Sequence, residues 1–183
     1  GWMTIGDGVH TVQSHLSGAF QGTNLKAAWA IGLHLGLPPR DICKGIEQYV
    51  PRNNRGELKK TERNTLFLDA YNANPSSMEV SLRHAATLFP DMPHIYIAGD
   101  LFELGTYSAE EHQRMVEILK ELDATEVWLV GNAFKATNHP TSFRSFATTS
   151  EAIQFMQTQK LTGAFIWIKG SRGMALEQLV PLL

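Results

Sequence analysis

The chain has 183 residues, 43% of them hydrophobic and 19% charged. That is the composition of one globular domain, or of one domain plus part of another, and it excludes a disordered tail. Sixteen basic and 18 acidic residues leave a net charge of -2, so no nucleic-acid footprint and no polybasic membrane anchor are expected. The single cysteine, Cys43, forms no intramolecular disulfide, and a reducing, cytoplasmic setting is the default. The longest apolar stretch, residues 27–37, is interrupted by His34 and is far short of a membrane span, so no membrane insertion is expected. Gly1, Trp2 and Met3 show neither the charged nor the apolar region of a secretory signal.

Residues 24–37 read as a helix that is small and apolar nearly all round. Pro38 and Pro39 stop it, and residues 41–49 form a second, shorter helix. Residues 50–56 then supply Pro, Asn and Gly, the composition of a linker, and Pro51 biases Val50 away from helix. Past the linker, strands and helices alternate. Residues 65–68 are a short apolar strand. Asn74 as N-cap and Pro75 at the first helical position open a helix to about Leu88. Residues 94–98 form the next strand. Ser108 and Glu111 form a capping box for a helix to about Leu122. Strands follow at residues 126–130 and 143–146. Thr148 and Glu151 make a second capping box for a helix to about Gln159. A strand at residues 164–168 and a helix at about 174–180 complete the chain. Uninterrupted apolar strands alternating with helices imply a mostly parallel sheet covered on both faces. The expected division is 1–50, too little for a domain of its own, and 51–183, an open, doubly wound α/β domain.

Ligands of such sheets bind beyond the carboxyl ends of the strands. Polar and small residues gather there: Asp69 with Tyr71, Asn72 and Asn74; Gly99 and Asp100 with Glu103; Gly131 and Asn132; and Lys169 to Gly173. The last segment fits an anion cradle with two cations, or a turn that needs glycine. Asp69 suits ribose hydroxyls or a cation, or the capping of local amides. Asp100 and Glu103 could hold an ammonium group or a metal, or be a turn cap and a solvated side chain. His112 lies on a helix. The seven histidines and Cys43 show no metal-ligand spacing. Arg55 sits in a basic run, residues 52–63, that is either a solvated linker or a hinge with a phosphate or ribose contact. There is no G-x-x-x-x-G-K-[ST] and no G-x-G-x-x-G, so any nucleotide is held only in part.

Three motifs in order resemble the Mur ligases: Asp69-Ala-Tyr-Asn-Ala-Asn-Pro-Ser-Ser-Met78, Gly99-Asp-Leu-Phe-Glu-Leu-Gly105 with Ser108-Ala-Glu-Glu-His112, and Lys169-Gly-Ser-Arg-Gly173. Within the family, the Tyr-Asn-Ala-Asn-Pro form resembles the branch whose acceptor is D-alanyl-D-alanine. Upstream, Gly18-Ala-Phe-Gln-Gly-Thr-Asn24 resembles the motif that ends the family's central ATPase domain, with Phe20 and Gln21 in place of the usual His and Asn. Asn53-Asn-Arg-Gly-Glu57 resembles the arginine motif that starts its C-terminal domain. The resemblance implies a Rossmann-like C-terminal domain, residues 51–183, preceded by a short helical remnant of the central domain, residues 1–50.

It also implies a reaction. ATP phosphorylates the carboxylate of a UDP-MurNAc-tripeptide, the amine of D-Ala-D-Ala attacks the acyl phosphate, and an amide, ADP and phosphate result. ATP and Mg2+ are then needs of the intact enzyme, neither held by this chain alone, and the missing N-terminal and central domains are its partners. By the same resemblance, Asn24 contacts adenine, Arg55 contacts ribose or phosphate, and Asp69 supports the nucleotide. Tyr71, Asn72 and Asn74 line the nucleotide cleft. Lys169, Ser171 and Arg172 face the acceptor, with Glu103 and His112 on the same side. Two alternatives stand beside this reading: a nucleotide- or peptide-binding α/β module without catalysis, and a Mur ligase relative with a different acceptor.

Overall fold

The computed structural model describes residues 2–5, 10–18, 21–52 and 54–183. Phe20 and Asn53 of the motifs above lie outside the described residues. The chain divides into two compact units, Gly1–Arg52 and Asn53–Leu183.

In the first unit, strands β1 (Trp2–Ile5) and β2 (His10–Gln13) pair antiparallel. Helices α1 (Gly22–His34) and α2 (Pro39–Gln48) follow. Gly22, Leu25, Trp29 and Gly32 are the buried face of α1, a single helical stripe. It packs with Val12, Ile42 and Ile46. Gly32 lets the helices approach: a Cβ there would lie 2.8 Å from the Ile42 side chain. Gly36, with φ +74°, ends α1 in the left-handed conformation that glycine accepts without cost. This strand pair is not predicted from the sequence, because each strand is four residues long and, among the described residues, pairs with no strand but the other.

The second unit is a six-stranded mixed sheet. Its strands are β3 (Glu57–Lys60), β4 (Thr65–Leu68), β5 (His94–Gly99), β6 (Glu126–Val130), β7 (Arg144–Phe146) and β8 (Phe165–Lys169), in the order β3-β4-β8-β5-β6-β7. All neighbours are parallel except β3 and β4. Every residue of β5 and β8 is buried, as expected of central strands covered on both faces. Side chains alternate between two cores. Phe67, Tyr96, Ala98, Leu129 and Trp167 meet Met78, Leu82, Met115 and Leu119 from helices α3 (Pro75–Ala85) and α4 (Ser108–Lys120). Leu66, Ile97, Trp128, Ile166 and Ile168 meet Ala152 and Met156 of α6 (Thr149–Thr158), and Leu176 and Leu179 near the chain's end. A short helix α5 (Asn132–Lys135) follows β6. Among the described residues no helix is long and apolar enough to cross a membrane.

Four local expectations are corrected. The basic run after the linker contains the edge strand β3, whose Lys59 and Lys60 are exposed; charge on an edge strand discourages further pairing. Ser108 does not cap α4: the chain enters the helix from a 3-10 turn at Gly105–Tyr107, and Ser108 is already helical. α3 ends at Ala85, and Phe89 turns the chain with φ +49°. The expected last helix is two 3-10 stretches, Arg172–Met174 and Leu176–Leu182, separated by Ala175 at φ +51°. Thr148 caps α6 as expected, accepting from the Glu151 amide.

Candidate functional site

The parallel register pairs Leu68 with Ile168, so the next residues, Asp69 and Lys169, stand side by side at the carboxyl edge of the sheet. Lys169 Nζ lies 2.6 Å from Asp69 Oδ2. It also donates to the Asp69 carbonyl at 3.3 Å and the Asn72 carbonyl at 3.2 Å. Lys169 is 2% exposed. Its three ammonium hydrogens thus have three acceptors, and the cation braces the loop after β4. Above that loop, the Arg55 guanidinium lies 3.5 Å from the centre of the Tyr71 ring, in cation–π contact. The Tyr71 amide donates to the Asn54 carbonyl at 3.1 Å. Arg55, Tyr71 and Asn72 are exposed. Asn74 opens α3 with a reciprocal cap: its Oδ1 accepts from the Ser77 amide at 2.8 Å, and its own amide donates to Ser77 Oγ.

The loops after β8 and β5 meet beside this corner. A Cβ on Gly170 would lie 2.9 Å from the Gly99 Cα, so only glycine permits the approach. The Ser171 amide donates to the Asp100 carbonyl at 3.0 Å, and Ser171 Oγ accepts from the Phe102 amide at 2.8 Å. The Phe102 ring lies over Gly173, where a Cβ would be 2.6 Å from it. Arg172 is exposed and pairs with Glu177 at 2.9 Å. Glu103 is exposed and holds a left-handed backbone, φ +63°, unusual for a residue with a side chain.

Behind these loops, Asp100 is a cap. Its carboxylate accepts from the Ala133 and Phe134 amides at 3.0 and 2.9 Å, at the start of α5. Gly131, with φ +128°, makes room for it: a Cβ there would lie 2.1 Å from the Asp100 carboxyl carbon. His112 is fully buried. Its Nε2 accepts from the Leu101 amide at 3.0 Å, and its Nδ1 is 2.7 Å from the Ser108 carbonyl.

The expected site residues therefore fall into distinct surroundings. Asp69, Lys169, Asn72, Tyr71 and Arg55 share one corner; Ser171, Arg172, Phe102 and Glu103 share the next. Two expectations are corrected. Lys169 belongs to the Asp69 corner and is no free cation for an acceptor carboxylate, because Asp69 and two carbonyls saturate it. His112 is enclosed and spends both nitrogens on the backbone, so it does not face an acceptor. Asn74 caps α3, as the sequence predicts, and is exposed at the same corner. Asn24 lies in the first unit, on the first turn of α1, where its Nδ2 donates to Gln21 Oε1 at 2.7 Å. Phe102 and Gly131 stand in the sequence only as strand-end residues with no task assigned; the signal for each task is a partner distant in sequence, Gly173 and Asp100.

The family described as Mur ligase, glutamate ligase domain matches residues 54–172. The chain belongs to that family. It is 34% identical to the UDP-N-acetylmuramoyl-tripeptide–D-alanyl-D-alanine ligase of Treponema pallidum (strain Nichols), a match covering 92% of this chain and 38% of that protein. The structure of a UDP-N-acetylmuramoylalanyl-D-glutamyl-2,6-diaminopimelate–D-alanyl-D-alanyl ligase from Acinetobacter baumannii superposes with a TM-score of 0.79 at 28% identity, over 94% of this chain and 38% of that one. The fold recurs in a MurF ligase from Thermotoga maritima in complex with ADP, with a TM-score of 0.71 at 19% identity, over 94% of this chain and 40% of that one. The chain thus spans about two fifths of the length of these relatives.

Among the described residues no three His, Cys, Asp or Glu side chains converge. The two carboxylates of the loop after β5 are divided, since Asp100 accepts from the amides of α5 and Glu103 lies on an exposed turn. What the sheet edge offers is directional hydrogen bonding, one stacked guanidinium and a glycine-lined approach.

Proposed function

We propose that the chain is the C-terminal part of an ATP-dependent amide ligase that adds D-alanyl-D-alanine to UDP-MurNAc-tripeptide during peptidoglycan precursor synthesis in the cytoplasm. The observation that carries this reading is the juxtaposition at one sheet edge of three loops, after β4, β5 and β8, joined by the Asp69–Lys169 and Ser171–Phe102 contacts, in a chain 34% identical to a ligase of that name. The first unit, Gly1–Arg52, is the end of a central ATP-binding domain, and Asn24 on α1 reaches the adenine.

Each corner then has a task. Arg55, held flat on Tyr71, presents guanidinium donors to ribose or phosphate oxygens. Asp69, oriented by Lys169, accepts from ribose hydroxyls. The loops after β5 and β8 receive the acceptor dipeptide, with Arg172 directed at its carboxylate and Glu103 near its amine. Attack of the neutral amine on an acyl phosphate needs no nucleophilic side chain. It needs a site closed to water, with donors facing the charge that develops on phosphate and on the tetrahedral carbon. The phosphate-binding loop and the magnesium ligands belong to the rest of the enzyme.

The test is ADP release by the full-length ligase with UDP-MurNAc-tripeptide and a panel of D-Ala-D-Ala, L-Ala, D-Glu and a diamino acid. Release that depends on D-Ala-D-Ala alone is expected. Dependence on another acceptor, or release with none, overturns the assignment. The 183-residue chain by itself is expected to turn over no ATP.

A further inference from the structure

We propose that His112 is a positioning residue. From within α4 it fixes the loop after β5 through the Leu101 amide, and so sets where that loop presents Phe102 and Glu103. The proposal rests on the acceptor-side reading of the β5 and β8 loops given above.

With no exposed surface, His112 acts only through its neighbours. Its tautomer is dictated by the backbone. The Ser108 carbonyl can only accept, so Nδ1 carries the hydrogen that bridges their 2.7 Å; Ser108 Oγ lies further off, at 3.3 Å. The Leu101 amide can only donate, so Nε2 is bare at 3.0 Å. An apolar side chain could fill the same volume against Phe134, whose ring meets the imidazole edge-to-face at 4.7 Å. It would leave the Leu101 amide without a partner, which a buried donor tolerates poorly. Asp100 is not the imidazole's partner: its Oδ1 is 3.6 Å from Nε2, and both its oxygens accept from α5.

The next amide along the chain is pinned from the opposite side, since Phe102 N–H donates to Ser171 Oγ at 2.8 Å. Two consecutive amides are thus held by side chains from two different elements. The residue that follows is Glu103, in its left-handed conformation. A turn of that kind keeps one direction only while its flanks are held.

Long-range nitrogen-15 correlation of the unaltered chain is expected to show a protonated Nδ1 and a bare Nε2. His112→Phe removes both hydrogen bonds, whereas His112→Gln returns an acceptor oxygen to the Nε2 position. Exchange of the Leu101 amide should quicken about tenfold in the Phe variant and recover in the Gln variant. In the full-length ligase, the acceptor KM should rise about tenfold in the Phe variant, with the ATP KM unchanged, and fall back in the Gln variant. The opposite tautomer, unchanged Leu101 exchange, or an acceptor KM unmoved while exchange quickens would each overturn the proposal. If the Phe variant does not fold, the tautomer of the unaltered chain and the Gln variant still decide it. Should the unaltered ligase show no acceptor-dependent ADP release, the functional reading fails, while the tautomer and exchange results separately decide the hydrogen bond.

Discussion

A lysine with 2% of its surface exposed is tolerated only because oxygens surround its ammonium. The sequence showed Lys169 at a strand end, and a cation there suggests a ligand. What it faces is Asp69, one hundred residues earlier, placed opposite by the β4–β8 register. Lys169→Met leaves a partly buried carboxylate without its cation and is expected to cost about 3 kcal/mol in urea unfolding. Adding Asp69→Asn should recover much of that loss, because the uncompensated charge is gone. If the double variant is no more stable than the single one, the pair is not what holds this corner. His112 and Asp100 teach the same lesson. Both are polar residues close to the carboxyl edge of the sheet; Asp100 is spent on two backbone amides, and His112 on one amide and one carbonyl. A polar residue at such an edge is legible in sequence; whether it serves ligand or loop depends on which amides the fold leaves unpaired beside it.

Among the elements, the strands were legible because central strands carry unbroken apolar runs, and β4, β5, β6 and β8 appear close to where those runs lie. The helices α3 and α6 were legible from their caps, Asn74 and Thr148. Elements without such signals escaped: β3, a four-residue charged strand, and α5, four residues capped by a distant Asp100. The Ser108 capping signal misled because the preceding residues were already turning. Between elements, α3 and α4 are tied by Glu79, which lies 2.6 Å from Arg114 and 2.9 Å from Arg83. Hydrogen bonds from Arg114 and then Arg83 hold the Glu79 carboxyl below its ordinary value of 4.5. The folded state therefore binds the proton less well than the unfolded chain. This contribution to stability is complete above 4.5 and is lost as the pH falls through the depressed value. Glu79→Gln should flatten the acid limb of a stability–pH profile. The difference between the two profiles should shrink at high salt, since the pair is solvent-accessible.

At the scale of the molecule, the two units differ in what they can bury. Asn53–Leu183 has an apolar cluster on each face of its sheet, each completed by its own helices or 3-10 turns. Among the described residues of Gly1–Arg52, five buried side chains form one cluster, while Ile31, Leu33, Leu35 and Leu37 stay exposed. A unit of about fifty residues is marginal alone. Residues 53–183 expressed separately are expected to melt cooperatively. Residues 1–52 alone are expected to show little fixed structure by circular dichroism. A stable, cooperatively melting 1–52 fragment would mean that its small core suffices.

The amino-acid sequence by itself determined the class of fold, the caps of α3 and α6 and the segments that gather at the carboxyl edge of the sheet. Each of these follows from neighbours in sequence: apolar runs, capping side chains, and glycine or proline at turns. Only the tertiary structure decided which polar groups face one another across that edge. The strand order β4-β8-β5 sets the last strand between two earlier ones and brings Lys169 to Asp69 and Ser171 to Phe102. No local pattern encodes that order, because it comes from which apolar faces bury best together once the whole sheet has formed.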